Sequence, residues 1–225
     1  MIRMIVSSFY NTLIDKEDAI PMSTMLEIDK LRTNRIMFSI CTNRDYKEVL
    51  YYNHDYPFIN YIISYNGNYI YDVDKEKCIY KKALSKKIIK DIEKIFSGYN
   101  LTYYQEEDEI IKIEIKVKKK DINIIEKLNN LNISKSIFCY DKEYFIELTS
   151  LTTYDGIKKL TSLLKIKEED IIPIIGNLSE KIIINKIDNT YVVSNAPKEM
   201  KEIAKNKTKS NNFKGVEQVI KKYNK

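Results

Sequence analysis

The apolar positions of this chain fall into two textures. Residues 2–7 make an apolar run of strand length. After Pro21, Ser23 and Thr24, helical spacing puts Met22, Met25, Leu26, Ile28 and Leu31 on one stripe. Residues 35–41 then read as a second strand, so the chain opens as strand, helix, strand, the unit of α/β folds. A third strand at 61–64 runs into Tyr65-Asn66-Gly67-Asn68, where Asn-Gly signals a tight turn, and residues 69–71 complete a hairpin. From 74 to 148 the texture changes to short strands (78–82, 101–104, 110–117, 136–140 and 144–148) and two helices near 85–96 and 122–131. That pattern predicts an antiparallel sheet with its helices on one face. Residues 149–225 return to the first texture, with a helix near 156–164, strands at 171–175 and 191–193, a helix near 197–204 and a last one after Gly215. The prediction is an α/β core domain of residues 1–73 and 149–225, interrupted by an α+β domain at 74–148.

Composition narrows the class without naming a function. The chain has 225 residues, 44% hydrophobic and 31% charged, and no apolar run approaches the roughly 18 residues of a membrane span. The apolar stretch after Arg3 is too short for a secretory signal, so cytoplasmic residence is expected. Cys41, Cys78 and Cys139 are widely spaced with no C-x-x-C pair, which suggests neither a disulfide framework nor a zinc site. The net charge of +6 is spread among interleaved acids and bases, and its densest run, residues 116–120, ends a strand. Neither nucleic acid nor membrane is expected as a partner. The first third is rich in tyrosine (Tyr10, Tyr46, Tyr51, Tyr52, Tyr56, Tyr61, Tyr65, Tyr69 and Tyr71), which suits strands and also suits a partner surface. The single histidine, His54, reads as a surface residue.

Six local signatures carry a stronger message together. The apolar strand leading into Ser7-Ser8-Phe9-Tyr10-Asn11-Thr12-Leu13-Ile14 has the frame of an Asp-x-Asp-Gly-Thr-Leu loop. Ser39-Ile40-Cys41-Thr42-Asn43-Arg44 is an apolar strand ending in a Thr-x-Arg turn, and Ile63-Ser64-Tyr65-Asn66-Gly67 is a Ser-x-Asn-Gly segment. Glu147-Leu148-Thr149 leads without a gap to Asp155-Gly156. Ile171-Ile172-Pro173-Ile174-Ile175-Gly176-Asn177-Leu178-Ser179-Glu180-Lys181 is a strand with a Gly-Asn loop. A tail of Ser194-Asn195-Ala196, Glu199, Lys201, Ala204 and Gly215-Val216 follows. In this order, with an α+β insertion between them, the segments resemble the Cof-type branch of the haloacid dehalogenase superfamily. The resemblance spans nearly the whole chain and implies a Rossmannoid core, its mostly parallel sheet covered by helices on both faces, with an inserted α+β cap domain.

What the resemblance implies about chemistry is altered by its departures. The family transfers phosphate to an aspartate and then to water with magnesium bound, which needs a carboxylate nucleophile and a carboxylate acid/base. Here Ser8 stands at the nucleophile, Tyr10 at the acid/base, Asp155 at the lysine, and Asn177 and Lys181 at positions of the magnesium loop. No catalytic residue and no bound metal are therefore expected, because magnesium ordinarily takes one or two anionic oxygens. The expectation is a catalytically inactive phosphatase homologue, the alternative a weak or atypical phosphatase acting on small phosphorylated metabolites. Thr42, Asn43, Arg44, Asn66 and Lys181 remain as candidates for holding a phosphorylated metabolite or another anion. Arg44 is equally suited to an ion pair at the start of the next helix. The exchanged charges at Asp155 and Lys181 predict an ion pair between them, or else independent change at two released positions. Glu180 is the one nearby acid, read either as a weak metal ligand or as a solvated loop carboxylate. The Tyr10 ring is expected to project into the emptied pocket.

Overall fold

The computed structural model describes residues 1–54 and 57–224, with Tyr140 described for its backbone alone. Tyr56 of the tyrosine set lies outside the described residues. The first strand, β1 (Met4–Ser8), is buried at every position, as a central parallel strand covered on both faces must be. After α1 (Met22–Thr33), β2 (Met37–Cys41) pairs with β1 in parallel, and after α2 (Tyr46–Asn53), β3 (Tyr61–Ser64) pairs with β2. The hairpin adds β4 (Tyr69–Asp72) and then β5 (Lys77–Lys81), both antiparallel. The chain leaves through α3 (Lys86–Ile95), β6 (Leu101–Glu106), β7 (Glu109–Val117), β8 (Ser134–Tyr140) and β9 (Glu143–Thr149), which form a separate four-stranded sheet in the order β6-β7-β9-β8.

It returns through α4 (Thr153–Leu164) to β10 (Ile171–Ile175), which pairs with the free side of β1. Next come α5 (Lys181–Ile184), β11 (Tyr191–Val193), α6 (Lys198–Ile203), β12 (Asn206–Thr208) and α7 (Gly215–Ile220). The core sheet thus runs β12-β11-β10-β1-β2-β3-β4-β5. Chain order reverses at β1, and ligands of open α/β sheets bind outside the carboxyl ends of strands at such a point. Among the described residues no helix is long and apolar enough to cross a membrane.

Three local expectations are corrected. Residues 77–81 belong to the eight-stranded core sheet through their pairing with β4, whereas the sequence pattern groups residues 78–82 with the strands of the second sheet. On α1 the buried face is Thr24, Ile28 and Leu31, whereas Met22 and Leu26 are exposed, because the sheet meets a narrower arc than the apolar stripe offers. The second cap helix is 3₁₀ in winding and spans Lys119–Leu128. Its apolar residues Ile122, Ile125 and Leu128 recur every third residue, the period of that tighter helix. The three-residue polar strand β12 carried no signal of its own.

The cap sheet shows why two-residue periodicity matters for the site. Ile113, Ile115 and Val117 of β7 and Ile146 and Leu148 of β9 pack with Ile92, Phe96 and Leu128. Alternation sends Lys112 and Glu114 to the opposite face of the sheet, with Phe145 and Glu147. The segments leading into and out of the cap are tied to the β3–β4 turn. The buried Asn68 side chain donates to the Tyr65 and Leu151 carbonyls and accepts from Leu151 N, and Ser150 Oγ donates to the Ala83 carbonyl. Gly67, at φ 98°, lies against Gly156 of α4; a Cβ on Gly156 would sit 2.4 Å from Gly67 Cα. Replacing Gly156 by alanine is expected to lower stability by about 1–3 kcal/mol, the usual cost of overpacking, as read from urea unfolding.

Candidate functional site

The carboxyl ends of β1, β2 and β10 bring Ser8, Cys41 and the Gly176-Asn177 loop together. Ser8 is fully buried, and its hydroxyl donates to Glu180 Oε2 at 2.6 Å. The same carboxylate oxygen accepts the backbone N–H of Asn177 at 3.1 Å and of Gly176 at 3.4 Å. Cys41 Sγ lies 3.8 Å from Ser8 Oγ and 3.9 Å from Glu180 Oε1. Glu180 is therefore no solvated loop carboxylate. The single tight turn Leu178–Glu180 after Asn177 folds its side chain inward, where it is 3% exposed. Burial pushes its pKa above the ordinary value, and the hydrogen bonds from Ser8, Asn177 and Gly176 offset that only in part. Burial, and then Glu180, likewise push the Cys41 thiol well up.

Asn177 is held by the opening loop: its Nδ2 donates to the Tyr10 carbonyl at 3.1 Å, and its Oδ1 accepts Asn11 Nδ2 at 3.1 Å. Asn11 has φ 59°, a left-handed conformation that asparagine tolerates better than most residues. Tyr10 does project into the cleft. Its hydroxyl donates to Glu48 Oε2 at 2.8 Å, and the Arg44 guanidinium stacks 4.1 Å from its ring centre while reaching the same Glu48 oxygen at 3.3 Å. Burial, and then the bond to Glu48, raise the Tyr10 phenol. Arg44 thus makes the ion pair at the start of α2. Thr42 is buried, with its Oγ1 accepting Arg44 N at 3.1 Å, a local turn contact.

Asn43 and Asn66, read as anion binders, instead face a carboxylate. Glu147 of the cap accepts Asn43 Nδ2 at 2.8 Å and Lys112 Nζ at 3.0 Å on one oxygen, and Ser136 Oγ at 3.2 Å and Asn66 Nδ2 at 3.4 Å on the other. Lys112 also donates to the Asn43 carbonyl at 3.1 Å and lies 4.0 Å from the Tyr104 ring centre. Lys112 and Glu147 side chains are each 2% exposed and both belong to the second sheet, and their bonds to Asn43 and Asn66 make the pair a buried clasp to the core loops. Sequence reasoning passed over Lys112. The only available signal was its place in the alternating strand 110–117, which defines two faces without saying that the polar one becomes buried.

The predicted ion pair between Asp155 and Lys181 does not form. Asp155 Oδ2 caps α4, accepting the Thr152 backbone N–H at 2.9 Å and its hydroxyl at 2.6 Å. Lys181 pairs with Glu199 of α6 at 2.7 Å. Each charge found a nearer partner, the first a helix N-terminus and the second a neighbouring helix. His54, at the end of α2, is exposed. The remaining tyrosines pack mainly on one another: Tyr46 stacks on Tyr69 and Tyr71 with ring centres 5.1 and 4.5 Å apart, whereas Tyr51 is exposed.

Between cap and core lies a cavity of about 430 Å³. Tyr10, Asn43, Arg44 and Asn177 line it, as does Glu180; Ser8, Thr42 and Lys181 are not part of its wall, and Asn66 borders a neighbouring cavity of about 420 Å³. The ionisable wall residues are Glu48, Glu114, Glu147 and Glu180 against Arg44 and Lys112, beside Tyr104, Phe138, Cys139 and Phe145. Burial, followed by Glu114 and Glu147, pushes the Tyr104 phenol up to about 12. Among the described residues no group of three or more His, Cys, Asp or Glu side chains is gathered to hold a metal ion.

This architecture and position place the protein in a class. The family of haloacid dehalogenase-like hydrolases matches over residues 5–123 and 98–220, and the chain belongs to that family. Solved structures share the fold across almost the whole length. A haloacid dehalogenase-like hydrolase from B. subtilis has a TM-score of 0.85 at 14% identity, covering 98% of this chain and 99% of its own. SMU.1108c from Streptococcus mutans UA159 has a TM-score of 0.83 at 15% identity, covering 99% of both chains. The haloacid dehalogenase subclass IIB sugar phosphatase BT4131 gives 0.83 at 17% identity, covering 98% of both. The core sheet, the second antiparallel sheet and the order of elements are thus those of the solved haloacid dehalogenase-like structures. No curated protein matches the sequence significantly.

Two outcomes follow from the buried groups. Lys112→Met strands the Glu147 charge and is expected to lower stability by about 3–5 kcal/mol in urea unfolding; Lys112→Met combined with Glu147→Gln should lose less than the sum of the single changes. Glu180, with its folded pKa above the ordinary 4.5, contributes stability that is complete below that value and lost as pH rises through the folded value. Glu180→Gln should remove this component, so its melting temperature relative to the native chain rises from acid to neutral pH.

Proposed function

We propose that this protein is a haloacid dehalogenase-like hydrolase homologue that no longer turns over phosphate and uses the cap–core cavity to bind a small molecule. The observation that carries this reading is the 2.6 Å contact from Ser8 to Glu180. At the position of the nucleophilic carboxylate, a buried hydroxyl gives its proton to an equally buried carboxyl. Ser8 has no exposed surface from which to meet a phosphorus atom.

The family's magnesium does not fit these donors. Magnesium keeps several waters and takes one or two carboxylates in near-octahedral geometry. Here the oxygens on offer are the Ser8 hydroxyl, the Asn177 amide, already bonded to Asn11, and one carboxyl that burial biases towards its protonated form. Arg44 and Lys112, the two cations in the cavity wall among the described residues, are each paired with a carboxylate, so a phosphoryl group would compete with Glu48 and Glu147 for them.

One observation favours a second reading, an atypical phosphatase. A serine nucleophile needs an adjacent base, and Glu180, with its raised proton affinity, stands at hydrogen-bond distance. Hydrolysis of p-nitrophenyl phosphate and of sugar phosphates, the substrate class in the name of BT4131, separates the two. The expected result is no release of phosphate above buffer, with or without magnesium. Turnover that depends on magnesium, or that Ser8→Ala abolishes, would establish the second reading instead.

A further inference from the structure

We infer that the cap–core cavity takes a small organic cation, an amine with an apolar or aromatic-compatible body, in place of a phosphorylated metabolite. This rests on the reading of that cavity as a binding site and names its ligand chemistry. Four carboxyl groups reach the wall against two cations. Both cations already have carboxylate and aromatic partners: Arg44 in Glu48 and the Tyr10 ring, Lys112 in Glu147, the Asn43 carbonyl and the Tyr104 ring. An incoming phosphate would have to displace these partners and would meet an excess of negative charge in a site partly shielded from water, where charges act more strongly than in solution.

Glu147 and Glu48 also have close partners, so the acid least committed is Glu114. It is 18% exposed in its side chain, 3.7 Å from Lys112 Nζ, and accepts the Tyr104 hydroxyl at 3.4 Å. It stands in register with Glu147 on the neighbouring strand, and like charges placed opposite one another repel, so a cation beside them relieves that repulsion. Phe138 and Phe145, stacked with ring centres 5.1 Å apart, supply aromatic surface in the same wall, and aromatic rings attract cations. The upward shift of the Tyr10 and Tyr104 phenols has burial as its first cause, followed by these wall carboxylates.

Thermal melting and calorimetric titration test the inference at constant ionic strength. The probes are choline and agmatine as cations, glucose as a neutral ligand, and inorganic phosphate and glucose 6-phosphate as anions. The cations are expected to raise the melting temperature in a concentration-dependent way while the anions do not. Glu114→Gln should weaken cation binding by about tenfold or more without lowering the melting temperature of the free protein. Glu48→Gln, on the other side of the cavity, should weaken it as well. A melting shift produced by the anions and not by the cations overturns the inference, as do cation effects unchanged in both variants or a response to no cation. Anion binding without hydrolysis would leave the absence of turnover standing and remove only the cation assignment; hydrolysis of the phosphate ester would instead remove the reading on which both rest.

Discussion

The carboxylate of Glu147 is the group on which the relation between cap and core depends. Taking it and Lys112 out of water costs several kcal/mol per ion, and such a cost is offset only when the pair is close and every remaining lone pair and proton has a partner. Both conditions hold: four donors reach the two Glu147 oxygens, two from the core loops and two from the cap sheet. The clasp therefore sets where the polar face of the cap sheet lies over the carboxyl ends of the core strands. The cavity is the space that this placement leaves.

Beneath the clasp, the end of β1 keeps its backbone frame while its groups have changed partners. The opening loop still turns over the Gly176-Asn177 loop through Tyr10 and Asn11, and Asn177 still lies across from Ser8. What differs is the direction of the hydrogen bonds. A nucleophilic carboxylate accepts, whereas Ser8 donates to Glu180, so the carboxyl group here comes from the turn after β10 and is buried there. The fold of this family fixes where a site lies, and the side chains decide what it does.

The electrostatics of the cavity have the same origin. Tyr10 occupies the pocket with a ring and a hydroxyl, and these meet Arg44 and Glu48, which pair with each other. Lys112 is spent on the clasp. With both cations occupied by structural partners, the wall is left with an excess of acids and with aromatic surface, an environment opposite in sign to one that grips phosphate.

The sequence by itself determined the α/β class, most strands and helices of both sheets, and the resemblance to the family whose model matches. All of these depend on residues near one another in the chain: two- and three-to-four-residue periodicity, Asn-Gly turns, and short apolar strands ending in polar loops. Only the tertiary structure decided how the remaining polar groups pair. Glu180 turns inward to Ser8 from 172 positions away, Asp155 spends itself on its own helix, Lys181 on Glu199, and Asn43 and Asn66 on a cap residue. Long-range partners of charged side chains are set by which faces the folded chain brings together. Side-chain periodicity defines those faces but does not say which of them will meet.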